Sequence, residues 1–218
     1  MKNKKILMVV TNYDRIDESH ETGVWLEEFL IPFQEFKAQG YEVTVASPHG
    51  GIANLDKSSL KDNESLPPEA SILKNTVSLA SINVVAYDAI FLTGGHGTMF
   101  DFPTSADLKI VIKGFVRQNK PIAAVCHGVA GLIGIQMEDG KPFVAGKTLT
   151  SFTNEEEYMT SLEDLMPFML ESRLAEQGAN HQAGASFTEH VVIDGNLVTG
   201  QNPMSSKATA HAVISLLS

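Results

Sequence analysis

The chain has 218 residues, of which 43% are apolar and 19% are charged; these values are ordinary for a globular protein and allow a sizeable core. They predict one domain over residues 1–218. The formal net charge of −10 would repel a phosphate backbone, which argues against nucleic acid as a partner. A single cysteine cannot form an internal disulfide, and the apolar run near the N-terminus is too short for a signal sequence or a membrane span. We therefore expect a protein of the reducing cytoplasm, away from membranes.

The first half of the chain shows strand and helix patterns in alternation. Residues 5–10 are an unbroken apolar run, as in a parallel strand that is buried on both faces. A polar loop leads to a predicted helix over 23–39, with an apolar stripe of aromatic residues (Trp25, Phe29, Phe33 and Phe36). Strands are predicted at 41–47 and 86–93. The charged segment 56–64 between them is predicted to be exposed.

The second half continues the alternation. The pattern predicts a helix, a strand that ends at the cysteine, a second helix, a strand, an acidic and then amphipathic helical segment, two short strands and a closing helix (105–119, 121–125, 129–135, 147–152, 154–177, 190–194, 196–199 and 208–217). This order predicts an α/β fold with a mostly parallel central sheet and helices on both faces. Ligands of such sheets bind beyond the carboxyl ends of the strands, where Asn12, Gly94 and Cys126 would meet.

The stretch 121–128 reads Pro-Ile-Ala-Ala-Val-Cys-His-Gly and places the cysteine between a buried strand and a helical pattern. This is the layout of a nucleophile elbow, in which a sharp turn exposes the reactive atom. A helix N-terminus would also favour the thiolate of Cys126. The alternative is a buried structural cysteine, but the polar pair His127 and Gly128 is a poor continuation of a core strand.

Two adjacent acids lie on the predicted helix 23–39. At about 100° per residue, Glu28 falls roughly 60° from Trp25, at the border of the apolar stripe, while Glu27 faces solvent. Burial would raise the pKa of Glu28, and a protonated Glu28 could donate a hydrogen bond to a Cys126 thiolate. A plain acid at the edge of the helix fits the pattern equally well.

The glycine-rich turn 94–97 and the residue after the cysteine can present backbone N–H groups. An oxyanion hole formed by the N–H groups of Gly95 and His127 is one interpretation, and a plain strand-to-helix turn is the other. The turn matches neither a Walker loop nor a dinucleotide fingerprint, which predicts that no nucleotide cofactor binds. The histidines lack the spacing of a metal motif, so no metal site is predicted.

His127 adjoins Cys126 and could serve as a general base if an acid orients it. The available acids are Glu155, Glu156 and Glu157, and spacing does not choose among them. Acids at the start of a helix can also serve only the helix dipole and solvation.

Three motifs resemble the ThiJ/PfpI superfamily: Gly-Val-Trp-Leu-Glu-Glu at 23–28, Gly-Gly-His-Gly-Thr-Met-Phe-Asp-Phe-Pro at 94–103 and Ala-Val-Cys-His-Gly at 124–128. The resemblance implies the flavodoxin-like three-layer sandwich that this superfamily shares with class I glutamine amidotransferases. The chain is most similar to the branch of glutathione-independent glyoxalases (glyoxalase III), protein deglycases and heat-shock chaperones. The resemblance assigns the nucleophile to Cys126, its acid–base partner to His127, the acid that orients it to Glu157, the glutamate beside the nucleophile to Glu28, and the oxyanion glycine to Gly95.

The resemblance also implies a reaction. A Cys126 thiolate would attack an α-oxoaldehyde such as methylglyoxal, or a glycated protein side chain, and yield lactate without metal, glutathione or nucleotide. It further implies a homodimer and an exposed thiol of low pKa that oxidises easily. A cysteine amidase or peptidase of the same fold, and a non-catalytic holding chaperone or redox stress sensor, are the alternatives. Val129 and the segment 181–187 depart from the pattern of the branch, which places the preferred substrate in question.

Overall fold

The main sheet is built from short strands, of which the central ones are the most apolar. The computed structural model describes residues 3–60 and 65–218, so part of the predicted exposed segment, 61–64, lies outside the described residues. Within the described ranges, the strands of the main sheet are β1 (Lys5–Val9), β2 (Glu42–Ser47), β3 (Val77–Ser78), β4 (Ala89–Leu92), β5 (Ile122–Val125), β8 (Val191–Asp194) and β9 (Leu197–Gly200). A separate parallel pair consists of β6 (Thr148–Leu149) and β7 (Asn180–His181).

The strand order in the main sheet is β3-β2-β1-β4-β5-β9-β8. Neighbouring strands are parallel, except that β8 runs antiparallel to β9. Strands β1, β4 and β5 are neighbours in the middle of the sheet, and every residue of β4 and β5 is buried. Their carboxyl ends therefore bring the segments that follow them to one edge of the sheet.

The helices pack on both faces of this sheet. The α-helices of the described residues are α1 (Leu26–Ala38), α2 (Thr98–Asp101), α3 (Ala106–Arg117), α4 (Asn154–Thr160), α5 (Leu170–Glu176) and α6 (Ser206–Leu217). The ring of Phe91 on β4 contacts Phe36 of α1. The next residue of β4, Leu92, lies beside Gly131, and Leu108 of α3 lies beside the same glycine. Consecutive strand residues point to opposite faces, so α1 and α3 cover opposite sides. The predicted α/β architecture with helices on both faces is confirmed.

Several elements differ from their predictions. The predicted helix 129–135 is a 3₁₀ helix, Cys126–Leu132, because Gly128 and Gly131 have low helix propensity and let the segment approach β4 closely. The predicted long helical segment 154–177 is broken into α4 and α5, since Ser161 has a left-handed φ of 58° and a proline, Pro167, follows. The predicted strand 147–152 is reduced to β6, which lies outside the main sheet.

Other corrections concern short elements and exposure. The sequence pattern gives no signal for β3 or β7, each of which has only two residues. Asp56 was expected to be exposed but is buried, because its carboxylate accepts hydrogen bonds from Thr22 Oγ1 and the backbone N–H of Ser58. No helix among the described residues combines the length and the apolar character that crossing a membrane requires.

Candidate active site

Cys126 lies at the turn that directly follows β5. Its φ of 58° is in the left-handed region, where a residue other than glycine costs about 1–2 kcal/mol. A strained residue between a strand and the 3₁₀ helix Cys126–Leu132 matches the predicted elbow geometry. The prediction of an exposed thiol is wrong, since Cys126 is only 3% exposed. The turn packs directly against the end of β4, where a Cβ at Gly128 would lie 2.5 Å from the Thr93 carbonyl oxygen.

His127 turns its imidazole toward the sulfur. Its Nδ1 lies 3.4 Å from Cys126 Sγ, and its Nε2 lies 2.7 Å from Oε2 of Glu157 on the first turn of α4. An ionised carboxylate can only accept, so the Nε2–H donates to Glu157 and the Nδ1 lone pair is directed at the thiol. The three side chains form a path along which a proton can leave the sulfur.

Burial and hydrogen bonding set the charges on this path. Burial alone would raise the pKa of Glu157, but the charge of His127 and hydrogen bonds from His127 and His96 hold that pKa well below its usual range. Burial lowers the pKa of His127, and His96 adds to the effect. The result at neutral pH is an ionised Glu157 beside a neutral His127. Burial also raises the pKa of the Cys126 thiol well above its usual value, so the prediction of a low pKa is wrong.

A second histidine, His96, binds the same carboxylate. Its Nε2 lies 2.8 Å from Glu157 Oε1, and its ring lies against that of His127, with the centroids 4.1 Å apart and the planes tilted by 39°. Sequence reasoning missed this contact, because the two partners are 61 positions apart and His96 was read only as part of a glycine turn. Its place directly after the carboxyl end of a central strand is the signal that could have indicated a role in the site.

The three glutamates at the start of α4 have different environments. Glu155 is exposed, whereas Glu156 and Glu157 are buried. The Glu156 carboxylate accepts hydrogen bonds from donors on three segments: Thr153 N and Oγ1, Phe187 N, Gln201 Nε2 and Asn202 Nδ2. Only Glu155 fits the interpretation of a solvated acid at a helix start. Glu156 fixes the helical turn that positions Glu157 beside the two histidines.

Glu28 approaches the site from α1 and is fully buried. A Cβ at Gly94 would lie 2.2 Å from Glu28 Oε2 and 3.1 Å from Cys126 Cβ, so only glycine fits between them. Neither carboxyl oxygen of Glu28 has a well-formed hydrogen bond to any described residue. Burial raises the pKa of Glu28 to about 8, although the Cys126 thiol and the Gly94 backbone oppose the rise. Glu28 is therefore protonated at neutral pH, which favours the first of the two interpretations of its position on the helix.

The predicted oxyanion hole consists of the backbone N–H groups of Gly95 and His127. Burial dominates the pKa of the thiol, but the His127 N–H lies close enough to the sulfur to lower it. Gly95 has a φ of 104°, and a side chain there would lie 2.1 Å from the Gly23 carbonyl oxygen. The glycine turn is thus pressed against the start of α1. The oxyanion role of the Gly95 and His127 N–H groups stays a prediction.

A cavity of about 560 Å³ opens beside the catalytic side chains. Trp25, His96 and Thr160 line it, and Thr160 Oγ1 also donates to Glu157 Oε1 over 3.1 Å. Arg15 and Lys57 line it as well and both pair with the carboxylate of Glu21, while Glu18 and Asp56 add two further acids to the lining. A small ligand in this cavity would meet the site at His96.

Aromatic rings form a second boundary of the site. The Phe152 ring lies 4.3 Å from the His127 ring, and the Phe187 ring lies 5.9 Å from that of Phe152, in both cases between centroids. Phe187 has a left-handed φ of 52° and is 39% exposed. It belongs to the segment 181–187, in which the sequence departs from the glyoxalase branch, so this departure lies near the site.

The two histidines and Glu157 are also a possible donor set for a metal ion. One ligand atom from each of His96, His127 and Glu157 lies within 4.8 Å of the others. Both Nε2 atoms already donate their hydrogens to the carboxylate, so a metal ion bound through the Nε2 atoms would have to displace those protons. The arrangement fits a hydrogen-bonded acid–base cluster without further change.

A family model matches most of the chain. The model of the DJ-1/PfpI family matches residues 20–216. The chain belongs to the DJ-1/PfpI family. Glyoxalase 3 of Candida albicans is 31% identical over 228 residues, covering 96% of this chain and 97% of that protein. A glutathione-independent glyoxalase of Saccharomyces cerevisiae is 29% identical and covers 100% of this chain and 99% of its own.

Solved structures of the family have the same fold. The crystal structure of glyoxalase III from Candida albicans gives a TM-score of 0.88 at 30% identity, covering 97% of this chain and 96% of that one. The Rapid Encystment Protein of Francisella tularensis gives 0.93 at 34% identity and covers 99% of both chains. These matches confirm the predicted flavodoxin-like fold and the predicted resemblance to the glyoxalase branch of the family.

Proposed function

We propose that this DJ-1/PfpI protein is a glutathione-independent glyoxalase that converts methylglyoxal to lactate. The observation that carries the proposal is the hydrogen-bonded path from Cys126 through His127 to Glu157, with Nδ1 3.4 Å from the sulfur. Relatives that match over nearly the whole chain are named glyoxalase 3 and glutathione-independent glyoxalase, which supports a small α-oxoaldehyde as the substrate.

The first step is attack by the thiol. Cys126 Sγ bonds to the aldehyde carbon while its proton moves to His127 Nδ1, and Glu157 stabilises the imidazolium that forms. This assisted attack suits a thiol whose burial keeps it protonated at rest. The N–H groups of Gly95 and His127 stabilise the oxyanion of the hemithioacetal before it takes up the proton.

The next steps move a proton between adjacent carbons and release the product. His127 removes the proton from the former aldehyde carbon, which gives an enediol-like species, and returns it to the neighbouring carbon. The product is a lactoyl thioester on Cys126, which water hydrolyses to lactate. Glu28, neutral at pH 7, stabilises the departing thiolate with its O–H group. None of these proposed reaction steps uses a metal ion, glutathione or a nucleotide.

Lactate formation tests the proposal directly. Purified protein, treated with a chelator and free of glutathione, is expected to convert methylglyoxal to lactate. Cys126→Ala should abolish the product, and Glu157→Gln should lower the rate by roughly 10²–10⁴-fold because His127 loses its orienting carboxylate. His211→Gln, a surface histidine that pairs with Glu35, is the control that should leave the rate unchanged. Equal rates for the wild type and Cys126→Ala would overturn the proposal.

The same purified wild type and variants also test the alternative functions, the use of protein adducts as substrates and the homodimer. An amidase or peptidase would release ammonia or an amine from amide substrates, and a holding chaperone would suppress aggregation even as Cys126→Ala. We also propose that methylglyoxal adducts on protein side chains are substrates, which mass spectrometry of a modified peptide would test. The resemblance further supports a homodimer, which light scattering after size-exclusion chromatography would measure.

A further inference from the structure

His96 joins the catalytic cluster to the cavity beside it. The residue follows β4 in the glycine turn, its Nε2 donates to Glu157 Oε1 over 2.8 Å, and its ring lies against that of His127 at a tilt. It lines the cavity of about 560 Å³, and neither Cys126 nor His127 does so. Water or solute in that cavity therefore reaches the cluster at His96.

The second nitrogen of His96 is free to accept a proton. Because the ionised Glu157 takes the Nε2–H of both histidines, the Nδ1 atom of each ring has a lone pair. In His127 that lone pair faces Cys126 Sγ. Among the described residues, Nδ1 of His96 has no hydrogen-bond partner, and the residue lines the cavity.

We propose that His96 is the general base that activates the water in thioester hydrolysis, an inference that rests on the proposed function. The water oxygen bonds to the thioester carbonyl carbon while one of its protons moves to His96 Nδ1. The C–S bond then breaks and its electron pair returns to the sulfur of Cys126. The carboxylic proton of the product restores the Cys126 thiol, and His96 releases its proton to the cavity, so that thioester and water give thiol, lactate and one proton.

Two histidines then divide the two halves of the reaction. His127 Nδ1 lies against the sulfur, where it accepts the thiol proton during attack. During hydrolysis the sulfur is acylated, and the water must approach the carbonyl carbon from open space. The turn that bears His96 passes beside Cys126, because a Cβ at Gly94 would lie 3.1 Å from Cys126 Cβ. The His96 ring also lies against that of His127, so His96 is the imidazole of this cluster that lines the cavity.

His96→Gln separates this role from simple positioning of Glu157. The glutamine Nε2 can donate to Glu157 as the histidine does, but glutamine has no basic nitrogen. With methylglyoxal and rapid quenching, intact-mass spectrometry should find a normal burst of acylation and then accumulation of the lactoyl enzyme. Steady-state lactate formation should fall by roughly 10²-fold, the usual contribution of a general base. Hydroxylamine, a nucleophile that needs no such base, should restore turnover.

Further variants decide between the possible outcomes. His96→Ala should also accumulate the lactoyl enzyme, and added imidazole, which can enter through the cavity, should release it; this measurement stands if His96→Gln does not fold. His211→Gln should behave as the wild type. The inference is overturned if His96→Gln turns over at the wild-type rate, or if it slows the burst without accumulating the lactoyl enzyme. A wild type that forms no lactate refutes the proposed function instead, and these two failures are distinct.

Discussion

Glu28→Gln tests whether the carboxyl beside the nucleophile is neutral in the folded protein. The side chain is fully buried and lacks well-formed hydrogen bonds to described residues, and burial raises its pKa to about 8. In the unfolded chain the same carboxyl ionises near 4.5. Glutamine has nearly the same shape and no charge, so the substitution removes this titration and leaves the packing in place.

The sign and size of the effect follow from these two values. Between them the folded protein retains a proton that the unfolded chain has released, so the wild-type free energy of unfolding falls as the pH rises and levels off above the folded pKa. The difference is 8 − 4.5 = 3.5 units. At about 1.36 kcal/mol per unit, ionisation of Glu28 removes about 5 kcal/mol of stability from the wild type.

Urea unfolding at about pH 5 and about pH 9 measures the effect as a difference between the two proteins. Other titrating groups are common to both and cancel. The measured quantity is the free energy of unfolding of Glu28→Gln minus that of the wild type, and it should rise by about 4 kcal/mol from about pH 5 to about pH 9. The rise is smaller than the full effect because the unfolded chain is already partly ionised at the lower pH. Glu155→Gln, at an exposed position, is the control and should show no such gain. If the difference in the free energy of unfolding between Glu28→Gln and the wild type does not change with pH, Glu28 is ionised in the folded protein and the reasoning is refuted.

Three further predictions concern the surroundings of the thiol. Glu156→Gln should lower the free energy of unfolding by about 3 kcal/mol in urea, because an amide cannot satisfy the converging donors, while Glu155→Gln stays within about 0.5 kcal/mol; equal losses would contradict this. Alkylation of Cys126 by iodoacetamide, followed by mass spectrometry, should accelerate through the alkaline range, since burial raises its pKa; a plateau at acidic pH would disprove it. Gly94→Ala should lower both stability and lactate formation, because its Cβ would lie 2.2 Å from Glu28 Oε2; wild-type values of both would show that the turn can shift.

The central strands were predictable because their burial on both faces leaves a plain signal. Strands β1, β4 and β5 lie in the middle of a parallel sheet and read as unbroken apolar runs. The observed bounds are shorter than predicted for β4, since the 3₁₀ helix Val84–Ala86 occupies the residues just before it. An apolar run of this kind can be recognised without knowing which other segments of the chain pack against it.

The segments after Cys126 and after Thr153 were harder to predict because tertiary contacts override their periodicity. Apolar residues at helical spacing follow Cys126, yet the glycines at 128 and 131 let the chain lie on β4 as a 3₁₀ helix. The helical pattern of 154–177 continues across Ser161, whose backbone is left-handed. Periodicity reports which face is buried, and it does not report where the backbone must turn.

Within the candidate site, the burial of Glu28 could be predicted from local spacing, whereas contacts between distant segments needed more than spacing. Helical spacing from the apolar stripe placed the Glu28 carboxyl at the border of the buried face, and α1 buries it fully. The contact of His96 with Glu157 joins the turn after β4 to α4, and no regular period relates these two segments. The resemblance to a family supplied Glu157, but it did not indicate that the carboxylate is shared by two imidazoles.

Two glutamates near one thiol therefore have opposite protonation states, and their donors explain the difference. Glu28 is enclosed without well-formed hydrogen bonds to described residues, so burial prevails and the carboxyl keeps its proton. Glu157 is also buried, but it accepts from His96, His127 and Thr160, which stabilise the ionised form. A neutral acid on one side of the sulfur and an ionised acid behind its base on the other allow a proton to leave toward His127 while Glu28 still has one to donate. Identical side chains thus acquire different roles from the segments that surround them, which is information that a glutamate in a sequence does not contain.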